Sequence, residues 1–173
     1  MSETIRPVPR VLVGAVMATR SKTIEELGKA VAEEVHAANM KLVRSVIVNG
    51  EPEFIRQLIS NVSNDNEADA IILVGGTGFG PKDHTCEAVD GFVERRIEGF
   101  GGSFRHMLRQ EMEFGAHAWL SRATAGVYNQ CLVFAMTGRV VDIRTAMKKL
   151  LVPTLSDAVE LATGRMRAVQ IRA

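Results

Sequence analysis

The sequence predicts an α/β domain built on a mainly parallel β-sheet. Three observations carry that prediction. Apolar runs of strand length alternate along the chain with stretches of helical periodicity. Each run is almost continuously hydrophobic, as a strand covered on both faces must be. One of them, "AIILV", ends abruptly in "GGTG", where a strand would turn toward a helix.

The elements follow in order. "RVLVGAVMAT", Arg10 to Thr19, is a buried strand. A helix begins at Thr23, where Thr23 and Glu26 fit a capping box and Ile24, Leu27, Val31 and Val35 mark one face. Asn39 is its expected stop. "KLVRSVIV", Lys41 to Val48, is a second strand, and Pro52 suits the first turn of the next helix. Phe54, Ile55, Leu58, Ile59 and Val62 form the apolar stripe of that helix. "AIILV" is the third strand. Helices are expected from about Thr85 to Arg96 and around Gly101 to Glu113, with a strand at Cys131 to Met136. Two helical stretches close the pattern, the second opened by Pro153. No repeat, low-complexity tract or linker interrupts residues 1–173, so a single domain is expected, with residues 1–8 and 166–173 peripheral.

Composition narrows the function classes. The 173 residues are 46% hydrophobic and 24% charged, with a formal net charge of +1. Such a balance supplies no global field for nucleic acid or for a membrane surface. Arg95, Arg96, Arg105, Arg109 and Arg122 make one region locally basic, a solvated face that would also favour an anionic ligand. Cys86 and Cys131 have neither C-x-x-C nor histidine-rich spacing and read as free thiols in a reducing compartment. The N-terminal "MSETIRPVPR" has no apolar core of a secretory signal. No apolar run approaches the about 20 residues of a membrane span. These features lead to a cytoplasmic expectation.

The stretch "AIILVGGTGFGPKDHTCEA" is the most informative. In open α/β sheets, ligands sit beyond the carboxyl ends of the strands. Glycines there admit positive φ and close approach, and amides left unpaired in the turn can cradle phosphate oxygens. Thr77 would add a hydroxyl. The stretch matches neither a P-loop nor the dinucleotide fingerprint. A tight turn with glycines for geometry alone is the competing reading. Asp83 stands just ahead of Thr85, the expected N-cap, where it would either stabilise the helix start or hold Mg²⁺.

"GGTGFGPKDHTCEA" resembles the signature of the molybdopterin adenylyltransferase and molybdenum cofactor biosynthesis B family. "EGFGGSFRHMLRQ", "LSRATAGV" and "LVFAMTGRVVDIRTAMKKLLVPTL" resemble further segments of that family, nearly collinear from Ile71 to Leu155. The C-terminal half is more similar to the B-type branch. The resemblance implies a three-layer α/β sandwich assembled as a trimer or hexamer. It also implies transfer of AMP from ATP to molybdopterin with Mg²⁺. Carried onto this sequence, Gly75, Gly76, Thr77 and Gly78 would cradle phosphates. Asp83 would bind the metal and serve catalysis. Ser121 and Arg122 would line the substrate side, with Arg122 able to hold a phosphate, and Gly138 would match the glycine of a Pro-Gly turn.

The sequence departs from the family pattern at defined points. Lys82 replaces an arginine, and Cys86 replaces a proline between Thr85 and Glu87. Thr137-Gly138-Arg139 replaces the Pro-Gly turn, and the first loop is the shorter "TRSKTIEELG". After the second strand, Gly50 and Glu51 stand where adenylyltransferases carry an aspartate. A catalytically silent member, acting as an oligomeric binding or scaffold protein, is therefore the alternative. His36, His84, His106 and His117 are scattered and suggest no metal pair. Trp119 and Tyr128 are expected in core or subunit packing, as are Phe92, Phe100 and Phe104.

Overall fold

The computed structural model describes residues 8–17, 23–111, 115–136 and 139–164. Their strands form one six-stranded sheet in the order β2-β1-β3-β6-β5-β4. The strands are β1 (Arg10–Met17), β2 (Lys41–Asn49), β3 (Ala70–Val74), β4 (Arg95–Arg96), β5 (Thr124–Tyr128) and β6 (Cys131–Met136). β2, β1, β3 and β6 run parallel, while β5 and β4 add an antiparallel flank. The mainly parallel sheet expected from the continuous apolar runs is present.

Helices cover both faces, which makes three layers. The described helices are α1 (Thr23–Ala37), α2 (Pro52–Asn64), α3 (Thr85–Asp90), α4 (Gly99–Glu111), α5 (Val140–Ala146) and α6 (Leu155–Thr163). Alternation along the strands divides the core. Val11, Val13, Ile72, Val74, Phe134 and Met136 pack beneath α1, α4, α5 and α6. Leu12, Val16, Ile71, Leu73, Val133 and Ala135 face α2 and α3. Period-two alternation thus persists although both faces are buried.

Local signals explain several boundaries. Asn39 ends α1 in the left-handed region at φ 55°, where its short polar side chain is tolerated. Pro52 occupies the first turn of α2, where a missing N–H costs nothing. Pro153 stands in the turn before α6 and does not open it, because the helix starts at Leu155 behind Thr154. Helix α5 runs directly into a π-helical turn, Met147–Leu151. The Thr23 cap cannot be read in full, since residues 18–22 lie outside the described residues, as do both expected tails except Val8 and the end of the first strand.

Two elements differ from the sequence reading. The helix expected to reach Arg96 stops at Asp90, and the chain then pairs with β5 as β4. The N–H groups of Glu94 and Ile97 donate to the carbonyls of Val127 and Ala125, so a sheet edge captures backbone that helical propensity would have coiled. β5 itself was hidden in "LSRATAGVY". A two-residue turn, Asn129 at φ 44° and Gln130 at φ 65°, folds it back on β6 without the usual glycine. Gly126 belongs inside this strand because a Cβ there would sit 2.5 Å from Val93. The buried assignment holds for Phe100 and Phe104, and Tyr128 stacks on Phe92 at 4.5 Å between centroids. Trp119 does not pack in the core of this chain: it is 71% exposed on a 3-10 turn, Gly115–Leu120.

Candidate functional site

The register of the parallel strands creates the site. Ala15, Val74 and Met136 are aligned across β1, β3 and β6, so the chain leaves the middle strand between two neighbouring strand ends. Gly75 turns there with φ 98° and Gly76 with φ 64°. A Cβ on Gly75 would lie 2.8 Å from the Val16 carbonyl oxygen, and one on Gly76 would lie 2.4 Å from Thr85 Oγ1. Glycine is therefore required twice, by conformation and by space.

Thr85 holds the turn rather than capping α3. Its hydroxyl, fully buried, donates to the Gly75 carbonyl at 2.8 Å, while its N–H donates to the Gly76 carbonyl at 3.0 Å. His84 is the N-cap, without a side-chain cap bond. Thr77 also points inward: its buried hydroxyl donates to the Met136 carbonyl at 3.4 Å. What the turn leaves uncommitted is its backbone. Among the described residues, the N–H groups of Gly76, Thr77 and Gly78 donate to no protein acceptor.

Asp83 faces the same loop. Its Oδ2 accepts the Gly80 N–H at 3.0 Å. A Cβ on Gly78 or Gly80 would come within 2.6 Å or 2.8 Å of that oxygen, so both glycines let the loop close around the carboxylate. Oδ1 accepts no hydrogen bond among the described residues. The described residues contain no cluster of three or more ligating side chains. A single half-buried carboxylate is nonetheless what Mg²⁺ uses when phosphate oxygens and water complete its shell. Asp83 fits such a cation; a self-contained protein cage does not exist here.

Arg122 supplies the connection across the fold. Its Nε donates to the Thr77 carbonyl and one terminal nitrogen to the Asp83 carbonyl, each at 3.1 Å. Both terminal nitrogens reach the Glu87 carboxylate. The guanidinium also lies 5.6 Å from the centroid of the Phe79 ring. The hydrogen bond from Arg122 holds the Glu87 carboxyl below the usual carboxylate range, and Glu87 in turn raises Arg122. Arg122 is thus engaged with the loop that the sequence reading had it flank. Its partner Glu87 was missed, because nothing local joins two side chains 35 positions apart.

A stability test follows. Arg122→Ala should cost about 1–3 kcal/mol, the scale of hydrogen bonds made by a charged donor. The Glu87 carboxyl is depressed on folding, so the contribution of this pair is complete above the usual carboxylate range and vanishes as pH falls through the lower, folded value. The urea midpoints of wild type and variant should therefore differ most at about pH 7, and the gap should narrow without closing as pH falls below the usual carboxylate range, because the bonds to the Thr77 and Asp83 carbonyls remain. An equal gap above and below that range would show that the ion pair does not hold the loop.

Of the remaining expected residues, Ser121 precedes Arg122 and is half-buried, its N–H donating to Ala118 at 3.1 Å. Gly138 lies outside the described residues, with Thr137. Glu51 is exposed at the N-cap of α2, its N–H bonded to the Asn49 side chain. The end of β2 is two strands from β3, about 10 Å away. Cys86 and Cys131 are buried, and desolvation raises their thiols to about 11 and about 12, so neither is a nucleophile at neutral pH.

Comparison with known proteins places the chain in a family. The family described as "Probable molybdopterin binding domain" matches residues 11–157, from the first strand to the last helix. The chain belongs to this family. A molybdenum cofactor biosynthesis protein B of Bacillus subtilis is 32% identical over 152 residues, 88% of this chain and 89% of its own. That of Staphylococcus epidermidis is 34% identical over 157 residues, 89% and 88% of the two chains. A crystal structure of molybdenum cofactor biosynthesis protein B superposes with a TM-score of 0.86 at 29% identity, covering 93% of this chain and 99% of that one. The three-layer α/β fold is the one that its solved relatives share.

Proposed function

We propose that this chain, as a single domain, binds molybdopterin and Mg²⁺-ATP at the Gly75–Asp83 turn and transfers AMP to molybdopterin. The observation that carries the reading is the row of three amides at Gly76, Thr77 and Gly78 that donate to no acceptor among the described residues, in the same loop as the Asp83 carboxylate. These amides would donate to phosphate oxygens, where fixed N–H dipoles stabilise charge that grows during transfer. Asp83 would orient the cation through Oδ1 while Oδ2 keeps the Gly80 amide. Arg122 would hold the two ends of the loop in place through the Thr77 and Asp83 carbonyls. Bound Mg²⁺ would supply neutralisation of phosphate charge. Ser121 and Arg122 would line the substrate side, and Gly138 would supply the glycine of the turn after β6 as a further ligand-binding residue.

A second reading has one observation in its favour. After the apolar run of β2 come Asn49, Gly50 and Glu51, the last exposed at the N-cap of α2, so no aspartate follows that strand. A chain lacking that group would bind without turnover and act as an oligomeric scaffold. We also infer a cytoplasmic homotrimer or hexamer. Family membership and the exposed Trp119 and Leu120 support the assembly, and two buried free thiols accord with a reducing compartment. No described helix is long and apolar enough to cross a membrane.

One titration tests the reading. Calorimetry with ATP should give saturable binding that tightens at least tenfold when Mg²⁺ is added, on a particle whose scattered-light mass is three or six chains. Pyrophosphate release on adding molybdopterin would separate transfer from binding alone. Absence of nucleotide binding in either condition would remove adenylyl transfer and leave the scaffold reading.

A further inference from the structure

Phe79 stands between Gly78 and Gly80 on the outer side of the loop and is 65% exposed. It belongs to neither apolar cluster of the core. An exposed phenylalanine on a loop tip normally has freedom to reorient, yet this one is constrained on two sides. Its glycine neighbours are closed around the Asp83 carboxylate, and the Arg122 guanidinium lies against its ring at 5.6 Å. That guanidinium is in turn fixed by Thr77, Asp83 and Glu87. One face of the ring is thereby held by a cation that is itself immobilised, a favourable arrangement for a π system.

We propose that Phe79, backed by Arg122, is the stacking platform for the planar heteroaromatic ring of the ligand. The inference rests on the phosphate reading of the turn given above. It adds the part of the ligand that the amides do not recognise. Phe79 follows Thr77 by two residues, no more than about 7 Å along the chain. A ligand whose phosphates rest on the amides of Gly76 to Gly78 therefore has its ring within reach of the phenyl face. Offset stacking suits any flat, electron-poor bicycle. Adenine and a pterin share that chemistry, and the experiment distinguishes them.

Affinities are measured for wild type, Phe79→Ala, Phe79→Leu and Phe79→Trp as full chains. Three probes are used: Mg²⁺-ATP, the diphosphate ester of 6-hydroxymethylpterin, and inorganic pyrophosphate, which has no ring. Phe79→Ala should weaken one ring-bearing probe by about five- to twentyfold, the range seen when a stacking aromatic is truncated. Leucine should recover little of that loss and tryptophan most of it. Pyrophosphate affinity and thermal midpoint should not move, because the ring is exposed and makes no phosphate contact. Loss confined to ATP assigns the platform to adenine, and loss confined to the pterin ester assigns it to the pterin. Unchanged affinity for both, with pyrophosphate still bound, overturns the platform and leaves the phosphate reading standing. A fall in scattered-light mass for Phe79→Ala also overturns it, by giving the ring to a contact between copies. Failure of wild type to bind any probe removes the phosphate reading and the platform with it.

Discussion

Asp83→Asn is expected to lower pyrophosphate release from Mg²⁺-ATP and molybdopterin by about 10²–10³-fold, the cost of removing one stabilising electrostatic group. The fold should hardly notice. Asparagine has the same size, and its side-chain carbonyl can still accept the Gly80 N–H now taken by Oδ2 at 3.0 Å. The close approach of Gly78 and Gly80 to this side chain is preserved as well. What disappears is the negative charge beside the free amides, and with it the oxygen offered to Mg²⁺. Thermal midpoints of the two proteins should agree within a few degrees while turnover differs by orders of magnitude. An active wild type with an equally active Asp83→Asn would take the catalytic and metal roles away from this residue.

Gly76→Val should be the most destructive single change in the turn. The residue sits at φ 64°, a conformation that costs an L-residue about 1–2 kcal/mol. Its new Cβ would meet Thr85 Oγ1 at 2.4 Å and Val16 Cγ1 at 3.2 Å. Relieving the first contact breaks the Thr85 hydrogen bond to the Gly75 carbonyl, worth about another 1 kcal/mol. A loss of about 3 kcal/mol would lower the thermal midpoint by roughly 6–12 °C in a chain of this size. Phosphate binding should fall in parallel, since the same peptide units carry the free amides. A double-mutant cycle isolates the cause. With Thr85→Ala in the background, Gly76→Ala should cost less than it does alone, because the obstructing hydroxyl is gone. Strict additivity would show that backbone conformation, and not the clash, sets the requirement for glycine.

These two expectations draw on different levels of information. Asp83 and the glycines were legible in "GGTGFGPKD" as a candidate phosphate turn, because such a turn is a local object: its residues are consecutive, and their chemistry follows from their own backbone. The reason Gly76 tolerates nothing larger was not legible. It depends on a hydroxyl nine residues later that a sequence reading takes for a helix cap.

The same division runs through the whole molecule. Hydrophobic continuity determined the parallel strands β1, β3 and β6, since burial on two faces leaves its mark on every residue of a strand; β2, an edge strand largely exposed or half-buried, was legible from its apolar run alone. Helical periodicity placed the apolar face of α2, while Asn39 and Pro52 marked the stop of α1 and the start of α2, where a single residue type has a backbone consequence. Tertiary structure alone decided the rest. β4 exists only because β5 lies beside it, and two exposed arginines have no strand period to betray them. Arg122 has Glu87, Thr77 and Asp83 as partners only because the fold brought them to it from 35, 45 and 39 positions away. The contact between Arg122 and the exposed Phe79 ring arises from the same convergence. Periodicity records which side of an element is buried, but it carries no information about which distant side chain will arrive there.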